Sequence, residues 1–231
     1  MKKVIILTGA GISAESGLKT FRDSNGLWGI HKIEDVATPN AWKKSPAFVQ
    51  AFYNMRRKEI LETKVNFAHL YLTKLEDNFD VQIITQNIDD MHERAGSKNV
   101  LHLHGNIRFA KSSGPKQEEK LYPIKDWELK MTDLCDDGFV LRPHVVWFGE
   151  EVPMLEKAAE ICTNADILIV IGTSLNVYPA ASLIHFVNKD CLKIVIDPKV
   201  NELKLDSSFI QINQTAVKGV LELENFILID K

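Results

Sequence analysis

His102 and His104, in the run VLHLHG (100–105), have the side chains of this chain best suited to proton transfer. Alternate residues of a strand share a face, so the sequence predicts both imidazoles on one side, with Gly105 leaving room beside His104. An imidazole has a reference pKa of about 6.5, which makes His104 a candidate general base. A chelating His-x-His metal pair and a structural strand histidine are the competing readings. Gln86, Asn87 and Asp89 follow the apolar run VQIIT. Their amides and carboxylate offer the donors and acceptors that sugar hydroxyls and a carboxamide require, although the same residues also make good turns and helix caps. LTGAGISAESG (7–17) brings Gly9, Ala10 and Gly11 to the end of another apolar run. Glycines there allow close backbone approach, and a following helix would present N–H groups to an anion; a plain tight turn is the alternative. Gly172, Thr173 and Ser174 repeat this arrangement after ILIVI, and KIVIDP ends at Asp197, an acceptor for a ribose hydroxyl. Together these strand ends favour a nucleotide with two sugars over a simple anion.

Several motifs are absent. No Gly-Lys-Ser/Thr follows the opening glycines, so they are not a P-loop. Ala14 stands at the third glycine of a dinucleotide fingerprint, and no clear acidic strand end follows about twenty residues later. His92-Glu93 has Gly96 where a zinc protease would need its second histidine. Tyr53 and Arg56 lie three apart on a predicted helix, Phe48 to Leu61, and so share a face. A guanidinium fork beside a phenol suits a carboxylate; with Arg57 and Lys58 adjacent, a solvated basic face is the other reading.

The elements that must position these groups are short β-branched runs: Val4 to Leu7, Val81 to Thr85, Val100 to Leu103, Ile167 to Ile171 and Ile194 to Ile196. Continuous apolar runs of this length read as strands buried on both faces. Helical patterns, Phe67 to Leu75 and Leu155 to Ala165 among them, alternate with the strands, and a helix is expected from Pro179. The fold class is therefore α/β, a Rossmann-like doubly wound parallel sheet with ligands at the carboxyl ends of its strands. The stretch from Ala110 to Gly138 breaks the pattern and reads as a small inserted module or long loop. The 231 residues, 45% hydrophobic and with net charge −3, fit one sizeable core and give no global field favouring nucleic acid or an anionic membrane. The three scattered cysteines fit a reducing compartment. The apolar run near Lys2 and Lys3 is too short for a signal peptide or membrane helix, and a cytoplasmic monomer is expected.

Four blocks, GAGISAESGLKTFRDSNGLW, TQNIDDMHERAGSKNVLHLHG, LRPHVVWFGE and GTSLNVYPAA, occur in an order that resembles the sirtuins, NAD-dependent protein lysine deacylases. The resemblance spans residues 4 to 198 or beyond. It implies an NAD loop of Gly9, Ala10, Gly11, Ser13, Glu15, Phe21, Arg22 and Trp28. It implies that Gln86, Asn87, Ile88 and Asp89 hold the nicotinamide and its ribose, with His104 as general base and Asn87 and Asp89 beside it in the catalytic set. Gly172, Thr173 and Ser174 would contact the adenosine side, with Asp197 and Ala216 near its ribose and adenine. Trp147, Phe148, Gly149 and Glu150 would pair with an acyl-lysine peptide as an added strand. Tyr53 and Arg56 resemble the mark of the branch that removes succinyl and malonyl groups. Sirtuins usually carry two Cys-x-x-Cys pairs between the His-Gly and Arg-Pro blocks; here only Cys135 lies in that interval, so no structural zinc is expected. Packing around Tyr122, Trp127 and Leu134 is expected to hold the module instead. The implied organisation is a single catalytic domain over 1–231, with a large part at 1–30, 76–108 and 140–231 and small-module insertions at 31–75 and 109–139. Mono-ADP-ribosyl transfer or NAD hydrolysis, NAD sensing without turnover, and dinucleotide oxidoreduction are the rival functions.

Overall fold

A computed structural model describes residues 1–20, 32–116 and 119–227. Phe21, Arg22, Asp23 and Trp28 lie outside the described residues. Among those described, nine strands follow in chain order: β1 (Lys3–Thr8), β2 (Asp80–Thr85), β3 (Val100–His102), β4 (Gly105–Ser112), β5 (Leu121–Pro123), β6 (Leu141–Val145), β7 (Ile167–Ile171), β8 (Leu192–Ile196) and β9 (Phe209–Ile212). The helices are α1 (Gly11–Ala14), α2 (Ile33–Val36), α3 (Pro39–Lys44), α4 (Pro46–Glu62), α5 (Phe67–Leu75), α6 (Met91–Ala95), α7 (Leu155–Thr163), α8 (Ala216–Glu222) and α9 (Glu224–Ile227). None of these helices is long and apolar enough to cross a membrane.

Six strands form one parallel sheet in the order β3-β2-β1-β7-β8-β9. Its central strands are apolar throughout because both faces are covered. Val4 and Ile6 of β1 join one core with Ile167, Ile169 and Ile171, under α5 and α8. Ile5 and Leu7 join the opposite core with Leu168 and Val170, under α7 and a 3₁₀ helix at Ala180–His185. Each such fully buried side chain contributes about 2 kcal/mol. From β1 the chain winds outward through β2 and β3, and from β7 it winds the other way, so the strand order reverses between β1 and β7. Open α/β sheets bind ligands at that switch point.

β4, β5 and β6 form a second, antiparallel sheet in the order β5-β4-β6. The segment from Ala110 to Gly138 thus contains part of a sheet rather than a long loop. Leu134 has an exposed side chain outside the module's core, though its backbone bridges Val140; that core is Ala110, Ile124, Leu129, Cys135 and Leu141, with Tyr122 packed against it. Trp127 contributes its carbonyl to Arg57 and its ring to Lys58. The insertion expected over 31–75 divides. α2, α3 and α4 pack together in a third core with Ile107, Val145 and Trp147, whereas α5 lies on the large sheet through Ala68, Tyr71, Leu72 and Leu75. The helix expected from Pro179 is the 3₁₀ helix. β3 ends at His102, so His104 lies in the bend before β4 rather than on a strand with His102.

Candidate active site

The loops after β1 and β7 touch. Gly9 N–H donates to the Ile171 carbonyl at 3.0 Å and Gly11 N–H to the Gly172 carbonyl at 2.9 Å. A Cβ on Gly11 would lie 2.6 Å from Gly172 Cα, and one on Gly172, where φ is +62°, would lie 2.5 Å from the Ile12 nitrogen. The sequence suggests that these glycines clear space for an anion. In the structure they also let two backbones meet at the switch point, which brings Ala10, Ser13 and Thr173 to one place.

Gln86, Asn87 and Asp89 arrive from the end of β2. Asn87 Nδ2 donates to the Gly9 carbonyl at 3.1 Å and lies 3.3 Å from Ser13 Oγ. Ser13 Oγ donates to Asp89 Oδ2 at 3.1 Å, and Met91 N–H donates to Asp89 Oδ1 at 3.2 Å. Gln86 Nε2 reaches Thr173 Oγ1 at 3.2 Å, tying the β2 loop to the β7 loop. Burial pushes the Asp89 carboxyl up, and its bonds to Met91 and Ser13 and the nearby His102 offset this only in part. Asn87, Ile88 and Asp89 share a cleft with Ala10, Ser13, Leu18, Lys19, Ile60 and Arg56.

His104 Nδ1 lies 2.9 Å from the Gln86 carbonyl oxygen. A carbonyl only accepts, so Nδ1 carries the proton and Nε2 keeps its lone pair. Burial lowers the His104 pKa, with the Gln86 carbonyl opposing, so the ring is neutral near pH 7. His102 has the opposite character. Its Nδ1 lies 3.0 Å from the Asn87 carbonyl and its Nε2 2.7 Å from Glu93 Oε1. Burial disfavours the charge on His102, but the Glu93 carboxylate and the Asn87 carbonyl outweigh it and raise its pKa. Both Nδ1 atoms are committed to backbone and one Nε2 to a carboxylate, so this His-x-His pair is not set up to chelate. Among the described residues no three histidine, cysteine or acidic side chains are grouped to hold a metal.

Tyr53 and Arg56 both point inward from α4 and are buried. Arg56 Nη1 pairs with Glu59 Oε2 at 2.5 Å. Tyr53 Oη accepts from Trp147 Nε1 at 3.0 Å, and burial pushes its phenol pKa up, so it stays protonated. The solvated-face reading of this pair therefore does not hold. Trp147 is buried, Phe148 is 43% exposed, and Gly149 has φ +91°.

Other residues expected at the nucleotide follow the ends of the same strands or pack beside them. The Glu15 carboxylate accepts from Thr215 Oγ1 at 3.0 Å and Val217 N–H at 2.8 Å, capping α8. Ala216 is buried in the core as the first residue of that helix. Asp197 Oδ1 accepts from Lys199 N–H at 2.8 Å, and Ser174 is exposed beyond β7. Sequence reasoning missed the Thr8 Oγ1–Thr85 Oγ1 bond of 2.8 Å beneath the site, Glu93, and Arg142. An acidic residue two before the alanine of HERAG was visible, but nothing local joins it to His102.

The Sir2 family profile matches residues 9–179. An NAD-dependent protein deacylase of Bacteroides thetaiotaomicron is 47% identical over 232 residues, covering 99% of this chain and 99% of the relative. A solved Sir2 homolog–NAD complex aligns with a TM-score of 0.84 and 37% identity, over 97% of this chain and 88% of that one. A Sir2–p53 peptide–NAD⁺ complex aligns with a TM-score of 0.77 and 32% identity, over 96% and 92%.

Proposed function

The chain belongs to the Sir2 family, whose cofactor is NAD, and on that premise we propose that it is an NAD-dependent protein-lysine deacylase that prefers acidic acyl groups such as succinyl and malonyl. The residues at the switch point suit the dinucleotide. Asp89 is a buried carboxylate whose pKa is raised, so a further donor such as a carboxamide N–H₂ would stabilise it. The Asn87, Gln86 and Thr173 side chains supply mixed donors and acceptors for ribose hydroxyls. NAD, when bound, would supply an electrophilic ribose carbon for the acyl oxygen and nicotinamide as its leaving group; with one water consumed, the products would be the free lysine and O-acyl-ADP-ribose.

The chain's own residues orient and move protons. His104 takes a hydroxyl proton at Nε2, and the Gln86 carbonyl fixes the tautomer that leaves Nε2 free to do so. Ser13, itself bonded by Asn87, and the Met91 N–H each hold one oxygen of Asp89. Phe148 and Gly149 offer an edge for the substrate peptide. Arg56 and Tyr53 receive the acyl carboxylate: Arg56 as a guanidinium exchanging its partner Glu59 for substrate, Tyr53 through its phenolic proton. The observation that carries the reading is Arg56 lining the same cleft as Ser13, Asn87 and Asp89. An acidic acyl group paired with Arg56 would extend toward Ser13, Asn87 and Asp89.

The test offers one peptide as acetyl-lysine and as succinyl-lysine, with and without NAD, read by mass spectrometry. NAD-dependent loss of succinyl well ahead of acetyl is expected. Loss of acetyl alone would return Tyr53 and Arg56 to a structural role. NAD consumed with no deacylated peptide would move the chain to NAD hydrolysis or ADP-ribosyl transfer.

A further inference from the structure

Tyr53 is buried one helical turn before Arg56, which lines the cleft, and it does not stand alone. Its oxygen accepts from the Trp147 indole N–H, which leaves its own proton to donate to another acceptor. The direction of that O–H is set by where the indole sits. Three groups fix the indole. The Arg142 guanidinium carbon lies 3.3 Å from the Trp147 ring centroid, and the Trp42 ring packs at 5.8 Å. Arg142 is itself locked, donating from Nη1 to Glu150 Oε1 at 2.7 Å, and from Nη2 to Glu150 Oε2 at 3.1 Å and the Val145 carbonyl at 2.9 Å. Glu150 Oε2 also accepts from the Trp147 backbone N–H at 2.8 Å. The ion pair therefore holds Trp147 by its backbone and by its ring face.

We propose that Arg142 and Glu150 are positioning residues for acyl-group choice, acting through Trp147 on the direction of the Tyr53 hydroxyl. This rests on the acidic-acyl reading above. Neither residue lines the cleft. Arg142 and Glu150 act on Tyr53 in opposite electrostatic senses, and the proposed effect runs through the position of the indole. A planar guanidinium can stack on the indole while forking to a carboxylate, and an ammonium cannot. Charge conservation at residue 142 is therefore not enough.

The experiment measures kcat/KM for succinyl- and acetyl-lysine versions of one peptide, together with KM for NAD. Arg142→Lys is expected to lower the succinyl-to-acetyl ratio about tenfold, the scale of one hydrogen bond to a charged group, with acetyl turnover and KM for NAD unchanged. Trp147→Phe keeps a ring for stacking but lacks the N–H, and is expected to lower the same ratio. In a Tyr53→Phe background, Arg142→Lys should change the ratio no further. A merely structural role would lower both substrates in proportion. That result, or a ratio unchanged in Arg142→Lys and Trp147→Phe, overturns the inference while leaving the acyl reading in place. A wild-type ratio near one overturns the acyl reading and the inference together.

Discussion

Replacing Arg57 by lysine should destabilise the protein more than replacing it by methionine, although lysine keeps the charge. Arg57 is fully buried on α4. It donates from Nε to the Ile107 carbonyl at 2.7 Å, and from Nη1 to Asn54 Oδ1 at 2.7 Å and the Trp127 carbonyl at 2.8 Å. All three acceptors are uncharged. Burial, then the neighbouring Arg108, lowers its pKa from 12.5 to about 10, which corresponds to about 3 kcal/mol against the charged form. Three hydrogen bonds from a charged donor return roughly 6 kcal/mol, taking about 2 each. The guanidinium is therefore stabilising by about 3 kcal/mol, and Arg57→Met should cost about that much. In Arg57→Lys one ammonium replaces a fork, reaches one of the three oxygens, and retains the burial penalty. Its cost should be about 4 kcal/mol. Urea unfolding followed by tryptophan fluorescence reads both values, and proteolysis within 110–138 reports whether the module opens first. The small module is clipped to α4 here, since Asn54 Nδ2 also donates to the Leu129 carbonyl at 2.9 Å. A lysine variant as stable as the methionine variant would show that the buried charge is not costly, and would refute this reasoning.

Gly172→Ala should cost about 2 to 4 kcal/mol and weaken NAD binding, read by thermal unfolding and calorimetry. The left-handed φ and a Cβ 2.5 Å from the Ile12 backbone nitrogen act together there, and backbone cannot move aside as a side chain can. The rate of deacylation should fall with decreasing pH along a limb centred below 6.5, because burial lowers the His104 pKa and the neutral imidazole is the active form. A limb centred above 6.5 in the pH profile of kcat/KM would contradict that assignment.

The central sheet was legible because its strands are buried on both faces, so an unbroken apolar run marks each of them. β4 was not, because Asn106, Lys111 and Ser112 are buried polar residues on it and hydropathy is silent about them. β9 was missed because its apolar run, broken by Gln211, spans only four residues. At the site, residues just past a strand end could be placed from sequence: Gly9, Gln86, Asn87, Asp89 and Gly172 converge as the switch-point rule requires. Their reasons could not. Gly11 and Gly172 answer to each other across the sheet, Thr8 to Thr85, Glu15 to α8, and Arg57 to Trp127. Such pairs lie far apart in the chain, and neither member carries a local signal of the other. Arg142 and Glu150 are close in sequence, yet only the turn at Gly149 folds the carboxylate back onto the guanidinium.

His102 and His104 show how one backbone loop gives neighbouring histidines different work. Each uses Nδ1 on a carbonyl, and the two carbonyls belong to the consecutive residues Asn87 and Gln86. The loop that presents the Asn87 side chain to Ser13 therefore also sets the tautomer of both rings. What separates them is the far nitrogen. Glu93, in the first turn of α6, meets His102 Nε2 and raises that ring's pKa, while burial without a carboxylate lowers that of His104. His102 anchors the loop and partly offsets the burial of Asp89, and His104 keeps the lone pair on Nε2. The base proposed for the reaction and the anchor of its orienting loop are thus two side chains two residues apart. Their opposite roles follow from the placement of a single acidic residue.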